Sequence, residues 1–286
     1  MAGTVPFRRA AVIGTGLIGG SFALALRRHF PDTIVVGYSR AGSLERAMER
    51  GAIQEAVSDL ALAVRGADLV YISLPIGATI DALGAIAAAA EPHALVTDAG
   101  STKAAICKAA AAHFRSGARF LGAHPMAGKE KAGVDYADAE LFRGASYALV
   151  ANEEDPDPRV KAFTEIVRAI GAQPVWTDAD THDWAVGIVS HLPQLVSIAL
   201  AQVVQDETDE TGMPLTLAGP GLHDMLRLAG SPYNIWRDIL LTNTENASRA
   251  LDRLAQAVDH LRRNLASKEL EQEFTAANEV YKLLRK

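Results

Sequence analysis

A glycine-rich turn follows the first apolar run of the chain, in the stretch AVIGTGLIGGS. The turn comprises Gly14, Thr15, Gly16, Leu17, Ile18 and Gly19. Gly14 permits a tight turn, Gly16 lets a pyrophosphate approach the backbone, and Gly19 lets the next helix pack closely on the strand. Because a helix N-terminus also attracts phosphate, the turn predicts a dinucleotide site directly after the first strand.

Strand-like and helical segments alternate through the first part of the chain. Apolar runs typical of strands lie at Ala10–Ile13, Thr33–Gly37, Asp68–Leu74, Ala94–Thr97, Arg119–Ala123 and Ser146–Val150. Helical stretches lie between them at Leu17–His29, Ser43–Arg50, Ala78–Ala90, Thr102–Phe114 and Pro158–Ile170. This order predicts an α/β domain over residues 1–177, built on a Rossmann-type doubly wound parallel sheet. A short strand at Gln173–Thr177 is expected to close the domain.

Residues 178–286 have a different pattern and predict an all-helical domain. Helices are expected at Asp183–Gln205, from Ser231 to about Leu265 and from about Ser267 onward, with an acidic connection at 206–221. Leucines and other apolar residues recur along these helices at helical spacing, and such faces must be buried. We therefore expect this domain to pack against a second copy of the chain in a homodimer.

Composition excludes several classes of protein. The chain is 49% hydrophobic and has a formal net charge of −6, which argues against nucleic acid or an anionic membrane as a partner. Cys107 is the single cysteine, so there is no internal disulfide, and no cysteine cluster indicates a metal site. We expect no apolar run of membrane-spanning length and no signal peptide. These features predict a cytoplasmic protein without a bound metal.

The end of the second strand bears on the choice of cofactor. Sites for NAD usually place Asp or Glu there to bind the ribose 2′-hydroxyl. This chain has Ser39 and Arg40 instead, and serine with arginine can receive a 2′-phosphate. The sequence therefore favours NADP over NAD. Alternatively, Arg40 lies over the adenine of the cofactor or points into solvent. The neutral Ser39 is also compatible with NAD binding.

Three further predicted strands end in polar or small residues. The first ends in Ser73 and Leu74 before Pro75, Ser101 lies in the loop after the second, and His124 follows the third. Ligands of open α/β sheets bind beyond the carboxyl ends of the strands, so these residues should converge on one crevice. A histidine held rigidly there suits proton removal from a substrate hydroxyl coupled to hydride transfer. The alternative is a structural histidine whose hydrogen bonds are satisfied.

The helical domain offers two more candidate site residues. His191 lies two residues before Pro193, which should bend its helix and turn a polar side chain toward a cleft. Arg237 lies in the first turns of a helix and could bind a carboxylate bidentately. The alternatives are a core histidine bonded to backbone and an arginine paired with a surface acid. His182 and His223 are interpreted as structural.

Longer stretches resemble one family. GTGLIGGS, LPIGATIDAL, VTDAGSTK, FLGAHPMAGKEKAGVDYADAELFRG, HDWAVGIVSHLPQLVSIAL and SPYNIWRDILLTN occur in an order and spacing similar to those of prephenate/arogenate dehydrogenases of tyrosine biosynthesis. The resemblance implies a Rossmann domain followed by a helical dimerisation domain. It also implies oxidation of a cyclohexadiene carboxylate, a small-molecule substrate, with loss of CO2 and hydride transfer to NAD or NADP.

By the same resemblance, His124 matches the histidine that contacts the ring hydroxyl of the substrate. Ser101 matches a serine that hydrogen-bonds near that histidine and the nicotinamide. His191 and Arg237 match residues that face the substrate, with the arginine reading a carboxylate. Many members of the family have an acid at the position of Ser39, so the resemblance leaves the cofactor open.

Two other functions remain open at this point. Another Rossmann-plus-helical oxidoreductase, such as a β-hydroxyacid dehydrogenase, would rely on a catalytic lysine in the helical domain. The predicted helix Asp183–Gln205 contains no lysine. A non-catalytic dinucleotide sensor would explain the glycine turn. It would give no reason for His124, Ser101, His191 and Arg237 to occur together.

Overall fold

The computed structural model describes residues 7–129, 131–268 and 270–285. The strands are β1 Arg9–Ile13, β2 Ile34–Tyr38, β3 Glu55–Val57, β4 Leu69–Ile72, β5 Leu95–Asp98, β6 Arg119–Leu121, β7 Ala123–Pro125, β8 Ser146–Val150 and β9 Gln173–Thr177. The first six α-helices are α1 Leu17–His29, α2 Ala41–Glu49, α3 Leu60–Val64, α4 Ile76–Ala89, α5 Ala104–His113 and α6 Pro158–Ala169. A 3₁₀ turn at Val134–Tyr136 precedes β8.

Helices make up the described part of the chain beyond β9. They are α7 Ala179–Val186, α8 Leu192–Asp206, α9 Met213–Thr216, α10 Pro220–Leu226, α11 Tyr233–Thr242, α12 Thr244–Arg263 and α13 Leu270–Leu283. A π-helical segment, Gly187–His191, joins α7 to α8, and a 3₁₀ turn, Arg227–Gly230, follows α10. The predicted change from alternating strands and helices to helices alone is confirmed.

Six strands form a parallel sheet in the order β3-β2-β1-β4-β5-β6. The chain runs outward from β1 to β3, then returns and continues from β4 on the other side of β1, so the strand order reverses between β1 and β4. This confirms the predicted doubly wound fold and puts its ligand crevice at that reversal. The two elements β3 and α3 were not predicted, since three and five residues are too few to show a periodic pattern.

The predicted strand Arg119–Ala123 is wrong as a single element, because the chain leaves the first sheet at Gly122. A Cβ at Gly122 would lie 2.5 Å from the Cys107 sulfur on α5, so only glycine lets the chain pass this close. Beyond Gly122, β7 pairs antiparallel with β8, and β8 pairs parallel with β9, in a second sheet of three strands. His124 therefore lies within β7, opposite Ala148, and not at the end of a parallel strand.

The core lies on both faces of the six-stranded sheet. Alternate residues of each strand point to opposite faces, and on β4 Tyr71 belongs to one apolar cluster while Val70 and Ile72 belong to the other. The Tyr71 ring stacks on Phe22 of α1 at a centroid distance of 3.8 Å. Its hydroxyl lies 3.0 Å from that of Tyr147 on β8, which joins the two sheets through a buried hydrogen bond.

The predicted helix from Ser231 to Leu265 is two helices, α11 and α12, which break at Asn243. The backbone of Asn243 has φ −135°, outside the helical region. Its side-chain amide donates a 2.7 Å hydrogen bond to the Asp183 carbonyl on α7. A buried amide needs such a partner, so a contact distant in sequence fixes the break, and the local helical pattern could not reveal it.

The helical run Ala179–Asp206 corrects the expectation about apolar runs. By length and composition alone this run of 28 residues, which contains an 18-residue window with a mean hydropathy of 1.5, is long and apolar enough to cross a membrane. Its buried side chains include His182, Asp183, His191, Gln194 and Ser197. These polar residues face the protein and bond to it, whereas apolar residues such as Trp184, Val189 and Val203 are exposed.

A buried ion pair holds the junction between the two sheets. The ammonium of Lys103, just before α5, bonds to the carboxylate of Asp98 at the end of β5, and both side chains are fully buried. Lys103 Nζ also donates to the Ala123 carbonyl at 2.8 Å, while Asp98 Oδ1 accepts from the Ala123 N–H at 3.1 Å. The pair therefore binds both backbone groups of the residue that precedes His124.

We predict that Lys103→Met destabilises the fold strongly. The substitution keeps the length of the side chain but leaves the Asp98 carboxylate buried without its counter-charge, a change that costs about 3–5 kcal/mol. Urea denaturation monitored by circular dichroism would measure this loss in the free energy of unfolding.

Lys282→Met is the matched control, since Lys282 pairs with Glu279 on an exposed helix surface. Its effect should stay below about 1 kcal/mol. Equal losses in the two variants would show that the buried pair does not hold the junction.

Candidate functional site

A crevice of about 440 Å³ opens at the carboxyl ends of β1, β4 and β5. Of the residues expected to converge on one crevice, Ser73, Leu74, Pro75 and Ser101 line it and His124 does not. The lining brings together Gly16, Leu17, Ile18, Ser73, Leu74, Pro75, Ser101, Lys129, Asn234, Ile235 and Asp238 among others. The glycine turn, the loop after β4 and the loop after β5 therefore share one cavity. Helix α11 covers it from the helical domain. The Ser101 hydroxyl makes no hydrogen bond with another described residue and is available to a ligand.

The three glycines of the turn have different surroundings. Gly14 has φ +98°, and a Cβ there would lie 2.3 Å from the Ser73 carbonyl oxygen. A Cβ at Gly19 would lie 2.0 Å from the Gly14 carbonyl oxygen, so helix and turn are in direct contact. A Cβ at Gly16 would meet nothing within 4 Å. Open space at Gly16, beside the N-terminus of α1, fits the approach of a phosphate group.

Ser39 and Arg40 lie beside this turn, at the end of β2. The Gly14 N–H donates to the Tyr38 carbonyl at 2.7 Å, which ties the end of β2 to the turn. Arg40 directly precedes α2 and is exposed, and Ser39 is half-buried. Thr15 of the turn shares a 3.1 Å hydrogen bond with Ser43 of α2. That Ser39 and Arg40 bind a 2′-phosphate remains a prediction. Neither residue lines the crevice itself.

A cluster of buried histidines lies between the two domains. On β7, His124 is 9% exposed, and its Nδ1 lies 3.0 Å from Nε2 of His182 on α7. Nδ1 of His182 lies 2.8 Å from Oδ1 of Asp183. The Asp183 carboxylate also accepts the backbone N–H groups of Lys103 at 2.6 Å and Ala104 at 2.9 Å. One carboxylate thus joins the N-terminus of α5 to the histidine cluster.

His191 is the third buried histidine and lies in the π-helical segment. A π turn at this point accommodates Pro193, which has no N–H to donate. The Asn243 amide, already a donor to the Asp183 carbonyl, also donates to His191 Nδ1 at 3.2 Å. The ring meets Trp236 edge to face at 5.9 Å. Because Nδ1 accepts, neutral His191 carries its proton on Nε2.

Burial keeps both His124 and His191 neutral near pH 7. It lowers the pKa of His124 well below 6.5, and the nearby His182, Lys103 and His191 add to this effect. Burial also lowers the pKa of His191 to about 4, an effect that Asp183 partly offsets and His182 increases. Neutral imidazole can accept a proton, so His124 has the protonation state that a base requires.

Arg237 does not line the crevice, although its helix α11 does. Its side chain is 57% exposed, and its guanidinium bonds to Asp238 Oδ1 at 2.9 Å. Asp238 lines the crevice and accepts the Gly77 N–H at 3.0 Å, at the start of α4. The assignment of Arg237 to a substrate carboxylate remains a prediction.

Sequence analysis missed three residues of the cluster and its surroundings. His182 was interpreted as structural, and Asp183 and Asn243 were not singled out. The adjacent His182 and Asp183 at the start of an apolar helix were a usable signal, because neighbouring polar residues in such a helix need partners. Nothing local marked Asn243, whose partners lie 52 and 60 residues away.

Both parts of the chain match domains of one family. Residues 22–176 match the nucleotide-binding domain of prephenate dehydrogenase. Residues 178–278 match the dimerization domain of prephenate dehydrogenase. Together the matched segments cover most of the chain and meet next to Thr177, where β9 ends.

Similar proteins carry related names. Prephenate dehydrogenase of Lactococcus lactis subsp. cremoris is 31% identical over 256 residues, which span 89% of this chain and 70% of that protein. A crystal structure of prephenate dehydrogenase from A. aeolicus in complex with hydroxyphenyl propionate and NAD+ has a TM-score of 0.86 and 28% identity, with 97% of each chain covered. Arogenate dehydrogenase of Synechocystis has a TM-score of 0.80 and 29% identity, with 96% of this chain and 99% of that chain covered.

We predict that His191 makes the free energy of unfolding decrease as the pH falls. The unfolded chain binds a proton on this ring near pH 6.5, whereas the folded protein does so only near pH 4. Between these values the unfolded state holds more protons, so the free energy of unfolding falls as the pH falls, by about 3 kcal/mol for this residue.

Denaturant unfolding of the wild type and of His191→Asn between pH 7 and pH 4 would measure this contribution. Since Asn cannot titrate, the variant should lose less stability over the interval than the wild type. Identical losses would show that His191 is not buried in its neutral form.

Proposed function

The chain belongs to the prephenate dehydrogenase family, and we propose that it oxidises prephenate or arogenate with loss of CO2 in the cytoplasm. The products are 4-hydroxyphenylpyruvate from prephenate and tyrosine from arogenate. We assign nucleotide binding to residues 1–177, and substrate binding and dimerisation to residues 178–286. The observation that supports this best is the buried His124, whose lowered pKa leaves it neutral, on β7, from which the chain continues into the crevice lining at Ala127, Gly128 and Lys129.

The crevice fits a nicotinamide dinucleotide. Open space above Gly16 and the N-terminus of α1 suit the pyrophosphate. Ser73, Leu74, Pro75 and Ser101 would border the nicotinamide end. When bound, the cofactor supplies the hydride acceptor, and the protein supplies orientation and charge placement. Within the described residues, no group of three or more His, Cys, Asp or Glu side chains is arranged to hold a metal ion. We assign the proton transfer to His124.

The protein's part in the reaction is to move one proton and hold the ring. His124 removes the proton of the ring hydroxyl as the carbon bearing it is oxidised. The carbonyl that forms withdraws electrons, which promotes loss of the ring carboxylate, and aromatisation makes the step irreversible. Ser101 would hydrogen-bond near that hydroxyl, and His191 can donate its Nε2–H to the substrate. Arg237 is our candidate for a carboxylate, reached by exchanging its bond to Asp238.

The helical domain has apolar surface that a homodimer would cover. Trp184 and Val189 on the Ala179–Asp206 run are 52% and 65% exposed, and Leu241 on α11 is 71% exposed. On α12 and α13, Val258 and Phe274 are 53% and 66% exposed. Apolar faces at helical spacing on several neighbouring helices are typical of an interface. We propose that this surface packs against a second copy of the chain.

His124→Asn should abolish most of the turnover. If His124 is the base, kcat should fall by roughly 10²–10⁴-fold, because general-base catalysis contributes a factor of that size. The dissociation constant of the nicotinamide cofactor should change little. Steady-state assays with prephenate and with arogenate, each with NAD and NADP, would measure both properties and test the proposed activity.

His113→Asn is the control, since His113 ends α5 and is exposed. Its kcat should match that of the wild type. Near-normal turnover by His124→Asn would contradict the assignment of the base. Absence of activity with both substrates in the wild type would contradict the proposed function.

We further propose that NADP is the preferred cofactor. Ser39 has no charge to repel a 2′-phosphate, and Arg40 adds a charge-assisted donor. Ser39→Asp should weaken NADP binding by about 1–3 kcal/mol and shift preference toward NAD. Arg40→Ala should raise the KM for NADP far more than the KM for NAD. Kinetics with both cofactors in the wild type and both variants would measure these changes.

Arg65→Ala is the control for charge alone. Arg65 is exposed and follows α3. It precedes the amino end of β4, whereas the crevice lies at the carboxyl end of that strand. This variant should leave both KM values unchanged. A wild type that prefers NAD tenfold, together with equal effects of Arg40→Ala on the two cofactors, would rule out Arg40 as a phosphate reader.

A further inference from the structure

We propose that His182, with Asp183 behind it, is a positioning residue that fixes the tautomer and the orientation of His124. The inference depends on the proposed role of His124 as the base. Its basis is a continuous chain of hydrogen bonds from Asp183 through His182 to His124, with lengths of 2.8 and 3.0 Å. All three residues are at most 9% exposed, so water does not compete for these bonds.

The direction of each bond follows from the carboxylate. An ionised carboxylate only accepts, so His182 must donate from Nδ1. Neutral His182 then has no proton on Nε2, and that nitrogen can only accept. His124 must therefore donate from Nδ1, which leaves its own Nε2 unprotonated. The chain thus selects one of the two neutral tautomers of His124, with the basic nitrogen on the side away from His182.

The same hydrogen bond is kept when catalysis protonates the ring. When His124 takes the hydroxyl proton on Nε2, the ring becomes a cation with protons on both nitrogens. Its Nδ1–H then points to the lone pair of His182, whose polarity is strengthened by the negative charge of Asp183. The proton stays on His124 until it passes to solvent after the product forms. His182 takes no proton in this scheme and acts only through His124.

Asp183 is held in a way that suits this role. Both of its oxygens accept backbone N–H groups at the N-terminus of α5, from Lys103 and Ala104. Three donors fix the orientation of the carboxylate. The helix N-terminus also favours a negative charge at this position, and all three contacts are ones that a carboxylate oxygen accepts. A carboxylate fixed by the fold therefore orients two rings in series.

A purely structural His182 would fill the same space, and three substitutions separate the two roles. In His182→Gln, the amide oxygen can occupy the place of Nε2 and still accept from His124. In His182→Asn, the shorter side chain reaches only the place of Nδ1, so it can keep Asp183 as a partner but not His124. In His182→Leu, both hydrogen bonds are lost.

Steady-state kinetics of the full-length protein should rank these variants by the acceptor they offer His124. We expect kcat to fall about 10²-fold in His182→Asn and His182→Leu, and no more than about 10-fold in His182→Gln. KM for substrate and cofactor should change less than about threefold. Rescue by Gln over Asn distinguishes a hydrogen-bond role from a packing role, because packing would not require an acceptor at this one position.

A spectroscopic measurement tests the tautomer directly. In ¹⁵N-histidine NMR of the protein, His124, assigned by its absence in His124→Asn, should show a protonated Nδ1 and an unprotonated Nε2 at pH 7.5. His182→Leu should show a mixture of tautomers or the Nε2–H form. An unchanged His124 spectrum in His182→Leu would overturn the proposal.

Two controls complete the test. Val186→Ala shortens a buried side chain one turn along the same helix, and it should lower the melting temperature while kcat stays within about twofold. The double variant His124→Asn, His182→Asn should be no slower than His124→Asn alone. Normal kcat in all His182 variants, with an inactive His124→Asn, would overturn this inference and leave the proposed function intact. An active His124→Asn would instead refute the assigned base.

Discussion

Lys103 contacts both domains and both sheets. Its backbone N–H bonds to Asp183 of the helical domain, and its buried ammonium bonds to Asp98 and to the Ala123 carbonyl. Burying an unpaired ammonium would be strongly unfavourable, so Asp98 and Lys103 require each other. Since Asp98 also accepts the Ala123 N–H, the pair determines where β7 starts, and with it the position of His124.

This arrangement explains why the sheet is interrupted beside the site. If β6 continued past Leu121, the next residues would stay at the edge of the six-stranded sheet. The break at Gly122 redirects the chain into the second sheet, where His124 faces His182 across the domain boundary. Asp183 then completes a loop of contacts from α5 through His182 to β7. The histidine cluster is therefore held by elements of both domains, and neither domain could form it alone.

The sequence predicted the parts that depend on local pattern. The glycine turn and the helix Leu17–His29 could be located because they combine a strand, a motif and a helical period in one segment. The break at Gly122 could not, because FLGAHP reads as one apolar run and only the approach of Cys107 shows why it divides. The break at Asn243 likewise depends on partners in another helix. For Arg237, the sequence indicated a side chain able to bind a carboxylate. It did not show that the guanidinium pairs with the neighbouring Asp238.

The position of His124 combines two physical requirements that oppose each other. Burial lowers its pKa well below 6.5 and keeps it neutral at pH 7, ready to accept a proton. The same burial makes the cation that it must become less stable, and His182, Lys103 and His191 increase that difficulty. A base in this setting needs a compensating negative charge at a fixed distance. Placing Asp183 one ring away, behind His182, keeps the resting base neutral and still supplies an anionic end to the hydrogen-bond chain when the charge develops.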